Sequence, residues 1–133
     1  MARIVLDTDV VSRYRSGRLP AKFARQVTTN DISIAFATAG ELWRWTLTRQ
    51  WGSARRGGLQ LWLDKTTVLP AGLSVAKVWG EITTAAQRRG WPRPFNDSWI
   101  AACCIEGGLP LLTFNRRDFA HFTEHDGLVL LDA

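Results

Sequence analysis

Hydrophobic positions along the chain fall into two patterns. Short apolar runs of strand length stand at Ile4 to Leu6, Ile32 to Phe36, Thr67 to Leu69, Leu109 to Thr113 and Leu128 to Leu131. Longer stretches between them repeat at helical spacing. Phe23 and Val27 share one face between Leu19 and Thr29, opposite Lys22 and Arg25, and Val75, Val78, Trp79, Ile82 and Ala86 recur between Leu73 and Arg89. A short helix over 9–16 should end at Gly17, a C-cap signal, and a helix from Trp51 to Leu63 should be interrupted early by Gly57-Gly58. Two more helices open near Asn96-Asp97 and at Asn115 to Phe119. The first run is continuously apolar, as in a strand buried on both faces. Strands alternating with helices imply βαβ units. The expected architecture is a single α/β domain over residues 1–133, with a mostly parallel five-stranded sheet flanked by helices.

Composition agrees with this picture and narrows the partners. A length of 133 residues, 46% hydrophobic and 22% charged, suits one domain with a sizeable core. No apolar run approaches the roughly 18 residues of a membrane span, and no signal-peptide hydrophobic region opens the sequence, so a cytoplasmic protein is expected. Cys103 and Cys104 are adjacent in an apolar helical pattern, which gives neither a zinc site nor a disulfide framework; buried thiols are expected. The net charge is +5, and 14 of the 17 basic residues are arginine. Arginine forks suit phosphate, which makes a nucleic-acid partner plausible. Of the seven tryptophans, Trp43, Trp45, Trp62, Trp79 and Trp99 fall in helices and should fill core or interfaces.

Candidate chemistry gathers where strands give way to helices. Asp7 and Asp9 directly follow the first apolar run, Glu41 lies in the first turn of the helix after the second, and Asp97 opens a helix. Asn115 and Asp118 follow the fourth run. In a parallel sheet these side chains converge on one rim, the crevice beyond the carboxyl ends of the strands. Simpler roles compete for some of them: Asp9 could cap its helix, and Thr38 and Glu41 have capping-box spacing. Clustered carboxylates repel by roughly 4 kcal/mol for a close pair at an effective dielectric near 20. Such a cluster either raises a pKa or holds a cation, and oxygen-only ligands select Mg²⁺ or Mn²⁺. Arg88, Arg89 and Arg93 share a turn-rich loop with Trp91, placed to hold a nucleic-acid backbone, with Trp91 available for base stacking. A hard cation beside arginines is an arrangement for phosphodiester cleavage.

At this point the residues resemble a known family. Leu6-Asp7-Thr8-Asp9-Val10-Val11-Ser12, Glu41-Leu42, Asn96-Asp97-Ser98-Trp99-Ile100-Ala101-Ala102 and Thr113-Phe114-Asn115-Arg116-Arg117-Asp118-Phe119 resemble the PIN domain. More narrowly they look like the VapC-type toxins of toxin–antitoxin pairs, in order and over essentially the whole chain. The resemblance implies a three-layer fold and a Mg²⁺-dependent endoribonuclease that cuts structured RNA by metal-activated water. It also implies a VapB-like antitoxin and a homodimer, with Asp7, Glu41 and Asp97 as metal ligands. Two positions depart from the pattern: the family commonly has Asn where Asp9 stands and often Asp where Asn115 stands. Asp118 is then expected to supply the missing charge through a bridging water oriented by Asn115. Two other readings compete. Asp7-Thr8-Asp9-Val10-Val11 also fits the opening motif of haloacid-dehalogenase-like phosphatases, whose mechanism needs a lysine near the phosphate. A catalytically degraded PIN module that only binds RNA or protein is the other.

Overall fold

The computed structural model describes residues 2–133. Along the chain, β1 (Arg3–Leu6), α1 (Thr8–Arg15) and α2 (Ala21–Thr29) are followed by β2 (Asp31–Ala35), α3 (Phe36–Thr48) and α4 (Ser53–Asp64). Then come β3 (Thr67–Leu69), α5 (Leu73–Arg88), α6 (Phe95–Gly107), β4 (Leu111–Leu112) and α7 (Arg116–His125). Among the described residues the strands form one four-stranded sheet in the order β3-β2-β1-β4, with every adjacent pair parallel.

The continuous apolar run of β1 has the expected consequence. Ile4 and Leu6 face one side of the sheet and Val5 the other, all at most 2% exposed. On the first side they join Val10, Val11, Val27, Leu42 and Leu59. On the second, Val5 and Leu111 pack with Val75, Ile82, the α6 run Ile100 to Cys104, Phe119 and Phe122. Helices therefore cover both faces, and the result is an α/β/α sandwich. Both cysteines are buried, and burial pushes the Cys103 thiol up to about 11. None of the helices is long and apolar enough to cross a membrane among the described residues.

Three expectations change. The fifth strand shrinks to a single parallel bridge between Leu130 and Leu111, held by Leu111 N–H to Val129 O and Leu131 N–H to Leu111 O, each 2.9 Å. Its partner β4 has only two residues and follows Pro110, which has no N–H to give, so the ladder cannot lengthen. The helix through Gly57-Gly58 is unbroken, because Leu59 is fully buried there and packing outweighs the roughly 1 kcal/mol that each glycine costs. Phe36 begins α3 rather than ending β2, which moves Glu41 from the first helical turn to the second.

The order β3-β2-β1-β4 positions the site. From β1 the chain builds outward through β2 and β3, then crosses back to lay β4 on the opposite flank of β1. The direction of winding reverses between β1 and β4, and the crevice beyond their carboxyl ends is where such sheets bind ligands.

Candidate active site

Asp7 leaves β1 at that switch point and is 5% exposed. One carboxylate oxygen accepts the Thr8 backbone N–H at 2.8 Å, making Asp7, not Asp9, the N-cap of α1. The other accepts the Thr113 hydroxyl at 2.7 Å. Thr113 directly follows β4, so this hydrogen bond bridges the two strands where their order reverses. The Thr8 hydroxyl lies 3.0 Å from Glu41 Oε1 and 3.1 Å from the Thr38 hydroxyl. A carboxylate can only accept, so Thr8 donates to Glu41 and Thr38 completes the chain behind it. Thr38 and Glu41 thus lie inside α3 and form no capping box; both bond to Thr8 on the neighbouring helix α1.

The carboxylates act on one another electrostatically. Burial raises the Asp7 carboxyl above its usual range, against the Thr113 and Thr8 hydrogen bonds, and the charges of Asp9 and Asp118 raise it further. Glu41 is raised mainly by burial and then by Asp7 and Asp9, with the Thr8 bond opposing. Asp97, in the first turn of α6, is pushed up to about 6 by burial, then by Asp7, Asp118 and Glu41, while Arg93 opposes. Strand ends and helix starts have brought Asp7, Glu41, Asp97 and Asp118 into a common field. They do not close on a point: among the described residues no three acidic, His or Cys side chains form a complete metal-ligand set. Oxygen donors that repel one another yet stand apart suit Mg²⁺, which takes one or two carboxylates directly and keeps several waters. They do not suit a metal that needs a full cage of protein ligands.

The remaining candidates divide. Asp118 lies in the first turn of α7, within reach of the Asp7 and Asp97 charges. Asn115 precedes that helix without a side-chain cap bond, and its amide donates to Asp9 Oδ2 at 2.9 Å. Asp9 and Asn115 are thus hydrogen-bonded to each other. Arg93 reaches the Asp118 carbonyl at 3.5 Å and opposes the raised pKa of Asp97. Arg89, Trp91 and Arg93 line one pocket, whereas Arg88 lies apart in a depression with Lys77 and Glu81. Sequence reasoning had no role for Thr8 and Thr113, which orient Asp7 and Glu41. A threonine within two residues of the ends of β1 and β4 was the available signal. It also missed His121 and His125, which share the pocket of Trp91. The lysine that a haloacid-dehalogenase-like phosphatase needs is absent from the charges acting on the site. Lys22 sits in α2, Lys65 follows α4 and Lys77 lies in α5.

A family model described as PIN domain matches residues 4–124. No curated protein sequence matches the chain. Solved structures with the same fold include VapBC-1 from nontypeable Haemophilus influenzae, with a TM-score of 0.82 at 21% identity, covering 98% of this chain and 97% of that one. DNA-bound VapBC from Salmonella typhimurium aligns with a TM-score of 0.78 at 22% identity, covering 99% and 98%. VapBC-5 from Mycobacterium tuberculosis gives 0.70 at 21%, covering the whole of both chains.

Proposed function

The chain belongs to the PIN-domain family, and from that premise we propose that it is a metal-dependent endoribonuclease, the VapC-type toxin of a VapBC-like pair. The observation that carries this reading is the switch point itself, where Thr8 and Thr113 orient Asp7, Thr8 orients Glu41, and the charges of Asp97 and Asp118 bear on the same centre. Asp7, Glu41 and Asp97 would hold the cation. When bound, a divalent cation supplies an activated water and neutralises charge on the phosphate.

The protein's own groups do the rest. Thr8 and Thr113 each donate to a different oxygen of Asp7, so its rotamer is set before any ligand arrives. Thr8 likewise fixes Glu41. Asp97, with its carboxyl pushed up to about 6, would hold the cation as a carboxylate, so cation binding would compete with its proton. Arg89 and Arg93 supply positive charge at the rim for the RNA backbone, with Arg88 flanking them at a greater remove. Asp118 adds a fourth charge to the field, and Asn115 holds Asp9 in place at 2.9 Å. The VapBC complexes among the similar folds support a VapB-like antitoxin as partner. Exposed Leu47, Leu61 and Leu73 provide apolar surface for that partner or for a second copy of the chain.

Purified protein should cut structured RNA in Mg²⁺ or Mn²⁺ and stop when a chelator is added. Equal cleavage in excess chelator refutes the metal mechanism. Mg²⁺ binding without cleavage of any RNA supports instead a module that binds and does not cut.

A further inference from the structure

We infer that the pocket between the 89–94 segment and α7 is a nucleotide subsite, taking one unstacked RNA base on Trp91 and an adjoining phosphate on Arg89 and Arg117. This rests on the ribonuclease reading and adds to it where the strand lies next to the acidic centre.

The pocket encloses about 560 Å³, and Arg89, Trp91, Arg93, Arg117, His121 and His125 line it. That is within the range of small-ligand sites, roughly 300–1,000 Å³. Asp118 also lines it, and its charge bears on both Asp7 and Asp97. A nucleotide held here is therefore adjacent to whatever phosphate the carboxylates address.

Trp91 is 61% exposed, yet its backbone is fixed. Its N–H donates to Ala86 O and the Gly90 N–H to Gln87 O, both at 2.9 Å, and Gly90 turns the chain at φ +76°. Pro92 follows immediately. The indole is thus carried outward on a rigid turn, whereas Trp79 and Trp99 stack on each other at 4.5 Å against the core. A flat ring held in water beside arginines is a stacking platform for a base, whatever the base. The base must be unpaired to use it, which selects single-stranded or looped RNA.

Arg89 is held as well. Its guanidinium lies 3.1 Å from His121 Nε2, and because guanidinium can only donate, that nitrogen accepts. Burial, with the neighbouring His125 and Arg89, holds the His121 imidazole below its usual range, in keeping with a neutral acceptor. His121 in turn lies against Phe122 and His125. Among the described residues neither Arg89, Arg93 nor Arg117 forms an ion pair with a carboxylate, and Arg93 Nε is buried with no acceptor. Glu124 also lines the pocket, but its side chain is 71% exposed and 4.0 Å from His125, so solvent screens it. Three arginines, none of them ion-paired, stand against the two carboxylates Asp118 and Glu124, so the pocket keeps a net positive charge for a phosphate.

The test is binding of a fluorescently labelled single-stranded RNA oligonucleotide by anisotropy, in chelator so that nothing is cut. Trp91→Ala should weaken binding about tenfold and Trp91→Phe by much less. Arg117→Ala should weaken binding and flatten the dependence of log Kd on log salt by about 0.7. Arg25→Ala, which removes a charge from α2, serves as the control and should do neither. Replacing one nucleotide by an abasic residue should cost affinity with the wild-type protein but not with Trp91→Ala, an outcome that misfolding cannot mimic. RNA bound equally by wild type, Trp91→Ala and Arg117→Ala overturns the subsite while metal-dependent cleavage stands. An acidic peptide that occupies the pocket while RNA does not also overturns it. No RNA binding by any form, together with no cleavage, means that the ribonuclease reading itself has failed.

Discussion

Asp97→Asn should make the metal-free protein more stable at neutral pH and leave it unchanged in acid. The carboxyl sits at about 6 in the folded protein against 3.8 without the fold. A raised folded value means that the stability is present below 3.8 and lost as pH rises through about 6. At 1.36 kcal/mol per pH unit the full difference is about 3 kcal/mol. Asp97 is only half-buried, so screening reduces that to about 2 kcal/mol. The carboxylate also lies in the first turn of α6, where the helix dipole favours it by roughly 0.3–1 kcal/mol, which the amide forgoes. The net gain above pH 6.5 is about 1 kcal/mol, or a Tm higher by about 4 °C for a domain of this size. Thermal melts in chelator from pH 4 to pH 8 read this directly: the two proteins should melt together at pH 4 and diverge between 4 and 6.5. Added Mg²⁺ should reverse the order, since 100 times Kd of a ligand stabilises by about 2.7 kcal/mol and the variant has lost a ligand. A variant that melts lower than wild type at pH 7, or a difference that does not change with pH, would mean that Asp97 serves α6 as a structural cap and that the field of carboxylates is weaker than argued.

Asp7→Asn should abolish cleavage with little change in metal-free Tm. An amide can still accept the Thr8 N–H, and the Thr113 hydroxyl can rotate to accept from it, whereas Asp7→Ala loses both bonds and should unfold about 2 kcal/mol more easily. Urea titrations of the two variants separate these outcomes, and equal destabilisation refutes the assignment. Asp118→Asn should lower the cleavage rate more than Asn115→Ala, because only the first removes charge from the field around Asp97; initial rates on one RNA at fixed Mg²⁺ rank them, and the reverse ranking refutes the role given to Asp118.

Most of the fold was legible because it depends on local pattern. The apolar run of β1, too continuous for a half-exposed strand, implied helices on both faces of the sheet, and the two core clusters meet at Ile4, Val5 and Leu6. The errors came where tertiary contacts overrode that pattern. Gly57-Gly58 reads as a break, but Leu59 is anchored beneath it and the helix continues. Leu128 to Leu131 reads as a strand, but a strand needs a partner of matching length, and two-residue β4 allows one bridge. Nothing local to residues 128–131 carries that information.

The site divides along the same line. Placing carboxylates at strand ends and helix starts pointed to the ones that act on one another electrostatically, although Glu41 lies a turn further into α3 and the group does not close into a ligand set. How they are held did not follow, because the holding groups are distant in sequence and chemically plain. Thr113 reaches Asp7 across 106 positions and Thr8 reaches Glu41 across 33. The Asp9 and Asn115 positions make the point most clearly. Taken singly, each departs from the family pattern, one adding a negative charge and one removing it. The 2.9 Å bond between them turns two departures into one exchange within a single carboxylate–amide pair. The local charge is retained, carried on α1 instead of at the start of α7. Asp9 also raises the pKa of both Asp7 and Glu41, so the exchanged charge still acts on the same centre. The neutrality of Asn115 alone therefore does not mark a degraded site, because a carboxylate stands one hydrogen bond away at Asp9.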